Sequence, residues 1–407
     1  MAIKPLRPLL APQSERSCHV EKARCLAPLI EGDANRIETD GKLTSGVVDA
    51  LQAQGLFAVG VPESAGGSGG SVIDMIEVLE ELARADGSTG WVTMVYWIGV
   101  LLHAGYLPLE SSTELFLTGK PTPRFAGAAA PTGTGVKIEG GYLISGTWPF
   151  SSGSDWATWL GLGFLVTDRE GKPIQGPDGK PQALYAVTPR DSGVISRNWD
   201  VTGLKGTGSH DIVVKEAFIP DTYIIDAYST APVRKDPVFY LGKDLSAWAG
   251  HSAVTLGLMK RALQEVATIA TGKVRRGYPT TVDQYPVFDF EFAKADAKYR
   301  SARAYLIAIY KEAIEQAKRD GAVGNETRAR AHQAAVWVHR VADEVVSFAR
   351  LWAASQAFRN PSNLGRVIRD AEVATLHLHI DNIHLVTSGQ TLVECAWQEL
   401  QQPMNPA

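Results

Sequence analysis

The sequence predicts an α+β protein laid out as three consecutive zones. They are an N-terminal helical domain over 1–119, a middle antiparallel β-barrel or sandwich over 120–235, and a C-terminal helical bundle over 236–407. Two observations carry this. Apolar residues recur at steps of three and four in the first and last zones, as on one face of a helix. In the middle zone they alternate in short runs broken by Gly, Pro and Asp, as in strands. A chain of 407 residues accommodates two or three structural units at about 100–200 residues each.

In the first zone, Val72, Met75, Ile76, Leu79 and Leu82 fall on one face of a predicted helix over 72–85, with Asp74, Glu77, Glu80 and Glu81 between them. The preceding VPESAGGSGGS is a Gly-rich turn. It reads as a helix-entry loop; the other role for such a run is a phosphate cradle, but no strand–GxGxxG–helix or GK[ST] pattern surrounds it.

In the second zone, VKIEGGYLISGTW reads as a hairpin with a Gly140-Gly141 turn. WATWLGLGFLV, ALYAVTP and HDIVVKEAFIP read as further strands, the last with a proline stop. In the third zone, Tyr299, Ala302, Leu306, Ile309, Ala313 and Ala317 share a helix face that ends at Gly321. Ala334, Val338, Val341, Val345 and Phe348 repeat the pattern over 331–352.

Several function classes are disfavoured. A net charge of −4 offers no footprint for nucleic acid or an anionic membrane. No apolar run reaches the roughly 18–20 residues of a spanning helix, and no secretory leader is evident, so a cytoplasmic protein is expected. Cys18, Cys25 and Cys395 are too few and too scattered for a disulfide framework or a zinc site.

Five ordered segments resemble one family. They are GLFAVGVPESAGGSGGS, ELARADGSTGW, FAGAAAPTGTGVKIEGGYLISGTWPFSSGSDWATW, VTGLKGTGSHDIVVKEAFIP and RNPSNLGRVIRDAEVATLHLHID. Together they are similar to the acyl-CoA dehydrogenase superfamily, in its two-component flavin-dependent monooxygenase branch. The resemblance implies that family's fold, with a C-terminal four-helix bundle, assembled as a homotetramer. It implies an oxygenase component that takes reduced flavin (FMNH2 or FADH2) from a separate reductase. That flavin reacts with O2 to a C4a-hydroperoxide, which hydroxylates a small, aromatic or heteroaromatic substrate. The rival readings are an acyl-CoA dehydrogenase with a displaced base and a non-catalytic protein that kept the fold.

Laid on the family pattern, Leu378 stands where many dehydrogenases carry a catalytic Glu, and leucine accepts no proton. Beside it, His377 matches the proposed base of the oxygenase branch. If the segment is helical, Asp381 shares its face, fixing the tautomer and raising the His377 pKa. His379 and His384 lie nearby, but a flavin oxygenase needs no metal, so no metal site is assigned.

Trp148 and Phe150 suit packing on an isoalloxazine ring, and Ser151 and Ser152 suit hydrogen bonds near its N5 and O4, with Ser152 assigned a catalytic role. Trp91, Tyr96, Trp97 and His103 match the helix that faces the substrate cavity in the family. Arg275 and Arg276 fall near the expected flavin-phosphate position, with Arg366 and Arg369 as further candidates. The motif around Arg275 departs from the dehydrogenase pattern, which leaves FMN and FAD both open.

Overall fold

The computed structural model describes residues 17–176, 178–226 and 229–401. The N-terminal zone holds α1 (Cys18–Asp40), α2 (Ser45–Ala53), α3 (Val72–Ala85), α4 (Gly87–Tyr106) and α5 (Leu109–Phe116). The expected helix is α3, started by a reciprocal capping box between Ser71 and Asp74. The Gly-rich run before it folds on itself. The amides of Gly60, Gly67, Ser68 and Gly69 donate to carbonyls within the same loop. Those donors are therefore spent, and the run is a helix-entry loop.

The middle zone forms one sheet in the order β5-β6-β2-β1-β3-β4-β7. Its strands are β1 (Phe125–Ile138), β2 (Gly141–Ser151), β3 (Trp159–Thr167), β4 (Ala183–Pro189), β5 (Val194–Ile195), β6 (His210–Pro220) and β7 (Ile224–Asp226). The hairpin is present, one residue out of place: Ile138 pairs with Gly141, so the turn is Glu139-Gly140 with Gly140 at φ 76°. The sheet is mixed rather than wholly antiparallel, because β1 and β3 run parallel. The chain leaves β2, crosses β1 through residues 152–158, and returns as β3 on the other side of β1. That short crossing carries Ser152. A separate apolar core, with Ile144, Trp148, Leu160, Phe164 and Ile212, fills the inside of the sheet.

The C-terminal zone holds α6 (Gly242–Ala270), α7 (Pro286–Asp320), α8 (Asn325–Ala353), α9 (Asn363–Ala374) and α10 (Ile383–Gln401). Four are long; α9 is the short fifth. The helix expected over 299–317 is the second half of α7, and the one over 331–352 lies within α8. α6 packs against α3 and α4 as well as α8, so the two helical zones share one core. Glycines permit this approach: a side chain at Gly250 would overlap Met94, and one at Gly257 would overlap the α3 backbone. The site described below lies where α4, α6, the end of β2 and the segment after α9 converge.

Candidate active site

Near its end, β2 carries one extra residue relative to β6: Trp148 pairs with Ile212 and Ser151 with His210. The bulge re-aims the residues around it. Phe150 adopts φ 58° and is turned outward, 72% exposed, with Trp199 edge-on at 6.1 Å. Ser151 is buried and its hydroxyl donates to the Trp148 carbonyl at 2.9 Å. Ser152 is also buried, and its oxygen accepts from the Trp91 indole N–H at 3.1 Å.

Trp91 sits one turn into α4, whose N-terminus is capped by Asp86 accepting from the Thr89 amide at 2.8 Å. Its indole meets the His251 ring edge-on at 4.8 Å and the His377 ring at 5.8 Å. His251, from α6, lies 4.0 Å from His377, ring to ring. Four elements thus bring Ser152, Trp91, His251 and His377 together. Among the described residues, no hydrogen bond or ring contact of these four side chains is to a carboxylate.

Asp381 does not pair with His377. The expected pairing assumed a continuous helix, but α9 ends at Ala374 and His377 is extended (φ −69°, ψ 138°). The exposed Asp381 carboxylate instead accepts from the Ile383 amide. The His377 pKa accordingly moves down, not up. Burial, then the neighbouring His379 and His339 rings, push it to about 3. Burial and His377 likewise hold His251 well below the ordinary value. Both rings are neutral. His377 Nδ1 accepts from the His379 amide at 3.3 Å, so the ring proton resides on Nε2.

Other expected site residues make contacts of their own. Trp148 lies inside the sheet, fully buried, against Gly133 and Gly146, its N–H donating to the Gly163 carbonyl. No face of it is open to a flavin. The hydroxyl of Tyr96 donates to the Gly153 carbonyl at 2.6 Å, and Trp97 donates to the Val59 carbonyl on the N-terminal side. His103 is twelve residues beyond Trp91, roughly 18 Å along the helix. It is buried between Phe125 and Tyr185, with its pKa lowered to about 3 by burial. The face of α4 that continues from Trp91 carries Val95, Ile98 and Leu102, all part-open.

Arg275 caps the C-terminus of α8, donating to the Leu351 and Trp352 carbonyls while lying 5.0 Å from the Trp352 ring. Arg275 and the exposed Arg276 follow the far end of α6, whose axis runs about 30 Å from His251 to that end. Arg366 and Arg369 are engaged by Asn35 and Glu38 of α1. Neither pair approaches the four-residue cluster through the contacts it makes.

The residues around Ser152 fit the ring end of a flavin. They offer an outward aromatic, Phe150, beside a buried hydroxyl. They also include a buried His251 Nδ1 with no partner among the described residues, and a buried polar atom of this kind calls for a ligand or water.

Residues 22–106 match the acyl-CoA dehydrogenase N-terminal domain and residues 249–382 its C-terminal domain. Indole-3-acetate monooxygenase of Pseudomonas putida is 32% identical over 344 residues, covering 84% of this chain and 85% of that protein. The chain belongs to the acyl-CoA dehydrogenase family. The oxygenase subunit HsaA of the flavin-dependent monooxygenase of Mycobacterium tuberculosis is 34% identical over 197 residues, 48% of this chain and 47% of that one. Among solved structures, XiaF from Streptomyces sp., in complex with FADH2 and glycerol, superposes with a TM-score of 0.85. It is 20% identical, over 96% of this chain and 97% of XiaF, and so bears on the fold alone.

His251, Trp199, Thr207 and Ser209 lie at the candidate site without being marked in the sequence; Ser209 Oγ is 2.7 Å from both Ser152 Oγ and Thr207 Oγ1. VTGLKGTGSHD was legible as strand and turn, but nothing in it marks its hydroxyls as facing Ser152. His251 lies in an apolar helical run with no motif around it.

Proposed function

We propose that this protein is the oxygenase component of a two-component flavin monooxygenase. It takes FMNH2 or FADH2 from a separate reductase, uses O2, and hydroxylates a small aromatic molecule. The observation that carries this reading is the cluster of Ser152, Trp91, His251 and His377, closed by two neutral imidazoles and free of carboxylates. Removing an α-proton from an acyl thioester calls for a strong, correctly placed base. Here Leu378 is largely exposed and Asp381 is turned away. The relatives fit: one is named for indole-3-acetate, and another, from Rhizobium sp., is an FADH2-dependent resorcinol hydroxylase oxygenase component.

When bound, reduced flavin supplies the electrons that activate O2. The chain's own residues do the rest. Ser152 holds the ring edge and Phe150 and Trp199 flank it. His251, His377 and Trp91 exclude water, which protects reactive oxygen chemistry from side reactions. His377 holds a proton on Nε2 for the site, and works as a base only after giving up its bond to the His379 amide. The part-open stripe of Val95, Ile98 and Leu102 supplies a flat apolar wall for the substrate, a role expected of Tyr96, Trp97 and His103. The flavin phosphate takes its cations, Arg275 and Arg276, from a neighbouring copy in a homotetramer.

Stopped-flow mixing of photoreduced FMN or FAD, protein and oxygenated buffer tests the reading. A transient absorbance distinct from reduced and oxidised flavin is expected. Oxidation at the free-flavin rate would sink it, and bleaching of bound flavin by an acyl-CoA would establish a dehydrogenase instead.

A further inference from the structure

Ser152 is the first member of a buried chain of hydroxyls, and that chain has only one possible direction. Thr207 Oγ1 lies 2.7 Å from the Leu204 carbonyl oxygen, which has no hydrogen, so Thr207 donates. A hydroxyl carries a single proton. The 2.7 Å bond between Thr207 and Ser209 must therefore be donated by Ser209. Ser209 has then spent its proton, so the 2.7 Å bond between Ser209 and Ser152 is donated by Ser152. At the other end the Trp91 indole, a donor only, gives its N–H to Ser152. The sequence of donation is Trp91, Ser152, Ser209, Thr207, Leu204 carbonyl.

The end of the chain is anchored. The Leu204 carbonyl also accepts from the Trp199 indole, and the Leu204 amide donates to Asp370 on α9. Ser152, Thr207 and Ser209 are all buried, so bulk water is not at hand to reverse the order.

We propose that Thr207 and Ser209 make Ser152 an obligate acceptor and thereby set the redox preference of the site. The inference rests on the reading that Ser152 meets flavin N5. Reduced flavin carries a hydrogen on N5; oxidised flavin has only a lone pair there. An oxygen with a free lone pair and a committed proton satisfies the first and opposes the second. The site therefore selects the reduced form by the direction of one hydrogen bond. Thr207 and Ser209 are positioning residues, acting through Ser152. Ser151 is not part of this device, because its proton goes to the Trp148 carbonyl.

The test is anaerobic equilibrium binding of FMN and of FAD, each oxidised and photoreduced, with the midpoint potential of the bound flavin as a second readout. The parent protein is expected to hold the reduced form more tightly. Ser209→Ala frees the Ser152 proton, so oxidised flavin should tighten and the preference should narrow about tenfold, the worth of one hydrogen bond. For a two-electron couple this lowers the bound potential by about 30 mV. Thr207→Val should act in the same direction by letting Ser209 turn round, and it stands in if Ser209→Ala fails to fold. Ser209→Thr should restore the preference. Variants that bind both forms with the parent ratio would overturn the proposal. A parent that binds neither form would overturn the flavin reading itself. A parent that binds flavin but whose Ser152→Ala variant keeps the same ratio would show that Ser152 does not meet N5.

Discussion

His377 and His251 lie ring to ring, and His377 makes protonation of His251 harder. Two imidazoles 4.0 Å apart in a buried setting stay neutral together, because either charge would lack water and face a second ring. The sequence singles out His377 but not its surroundings. An Asp four residues on is a helical neighbour only if the helix continues, and here it stops at Ala374. The reason is tertiary. The carbonyls of Leu378 and His379, freed from a helical ladder, are taken by the rings of His384 and His332. Side chains from α8 and α10 thus specify a backbone that local propensity does not. The His377→Ala variant should keep flavin binding and lose product formation by about 10²-fold or more, the usual scale for a group that positions a proton. Steady-state product assays beside flavin titrations check this, and normal turnover would remove His377 from the chemistry.

At the scale of elements, the helices were legible because their burial follows their period. The same Val72, Met75, Ile76, Leu79 and Leu82 that mark α3 in the sequence are buried in the fold. The parallel pairing of β1 with β3 was not legible, since alternation tells which face is buried and not which strand is next. Equally hidden was the joint between α4, α9 and the loop through Leu204. Asp370 of α9 accepts from the Leu204 amide at 2.6 Å and lies beside Asp86, the cap of α4. Burial, then the Asp86 charge, raises the Asp370 carboxyl from 3.8 to about 7. An acid with a higher pKa folded than unfolded binds extra protons in the folded state between those values. Stability therefore declines as pH climbs from about 4 to about 7 and is level above that. Asp370→Asn keeps an oxygen for the Leu204 amide and removes the buried charge beside Asp86. The variant should lose this component of the pH dependence and gain on the order of a few kcal/mol at pH 8. Thermal melts of both proteins from pH 4 to pH 8 decide it; parallel curves would show that Asp370 is not the group responsible.

At the scale of the whole molecule, the three-zone order was legible, while the exposure of its last helix was not, because exposure cannot be read from periodicity. The helix α10 buries only Ser388 among its described residues. It leaves Ile383, Val386, Val393, Trp397 and Leu400 in the open, the last at 84% exposed. Those residues step by three, seven, four and three, which is the spacing of a helix seam. A contiguous apolar stripe of this kind marks an interaction surface. In the proposed homotetramer a second copy of the chain covers this stripe and supplies Arg275 and Arg276, which make no contact with the cluster of their own subunit. Replacing Val393 and Trp397 together by Glu puts two charges into that seam, and burying unpaired charge is strongly unfavourable. If the proposed homotetramer forms through this seam, the variant should run as a smaller species than the parent by light scattering on a sizing column. Its helices should survive by circular dichroism, because neither side chain supports the core of its own subunit. Flavin affinity should fall with the mass, since each site would then lack the neighbour's arginines. An unchanged mass would place the subunit contact elsewhere, and a smaller species with undiminished flavin affinity would show that the phosphate is held within one chain.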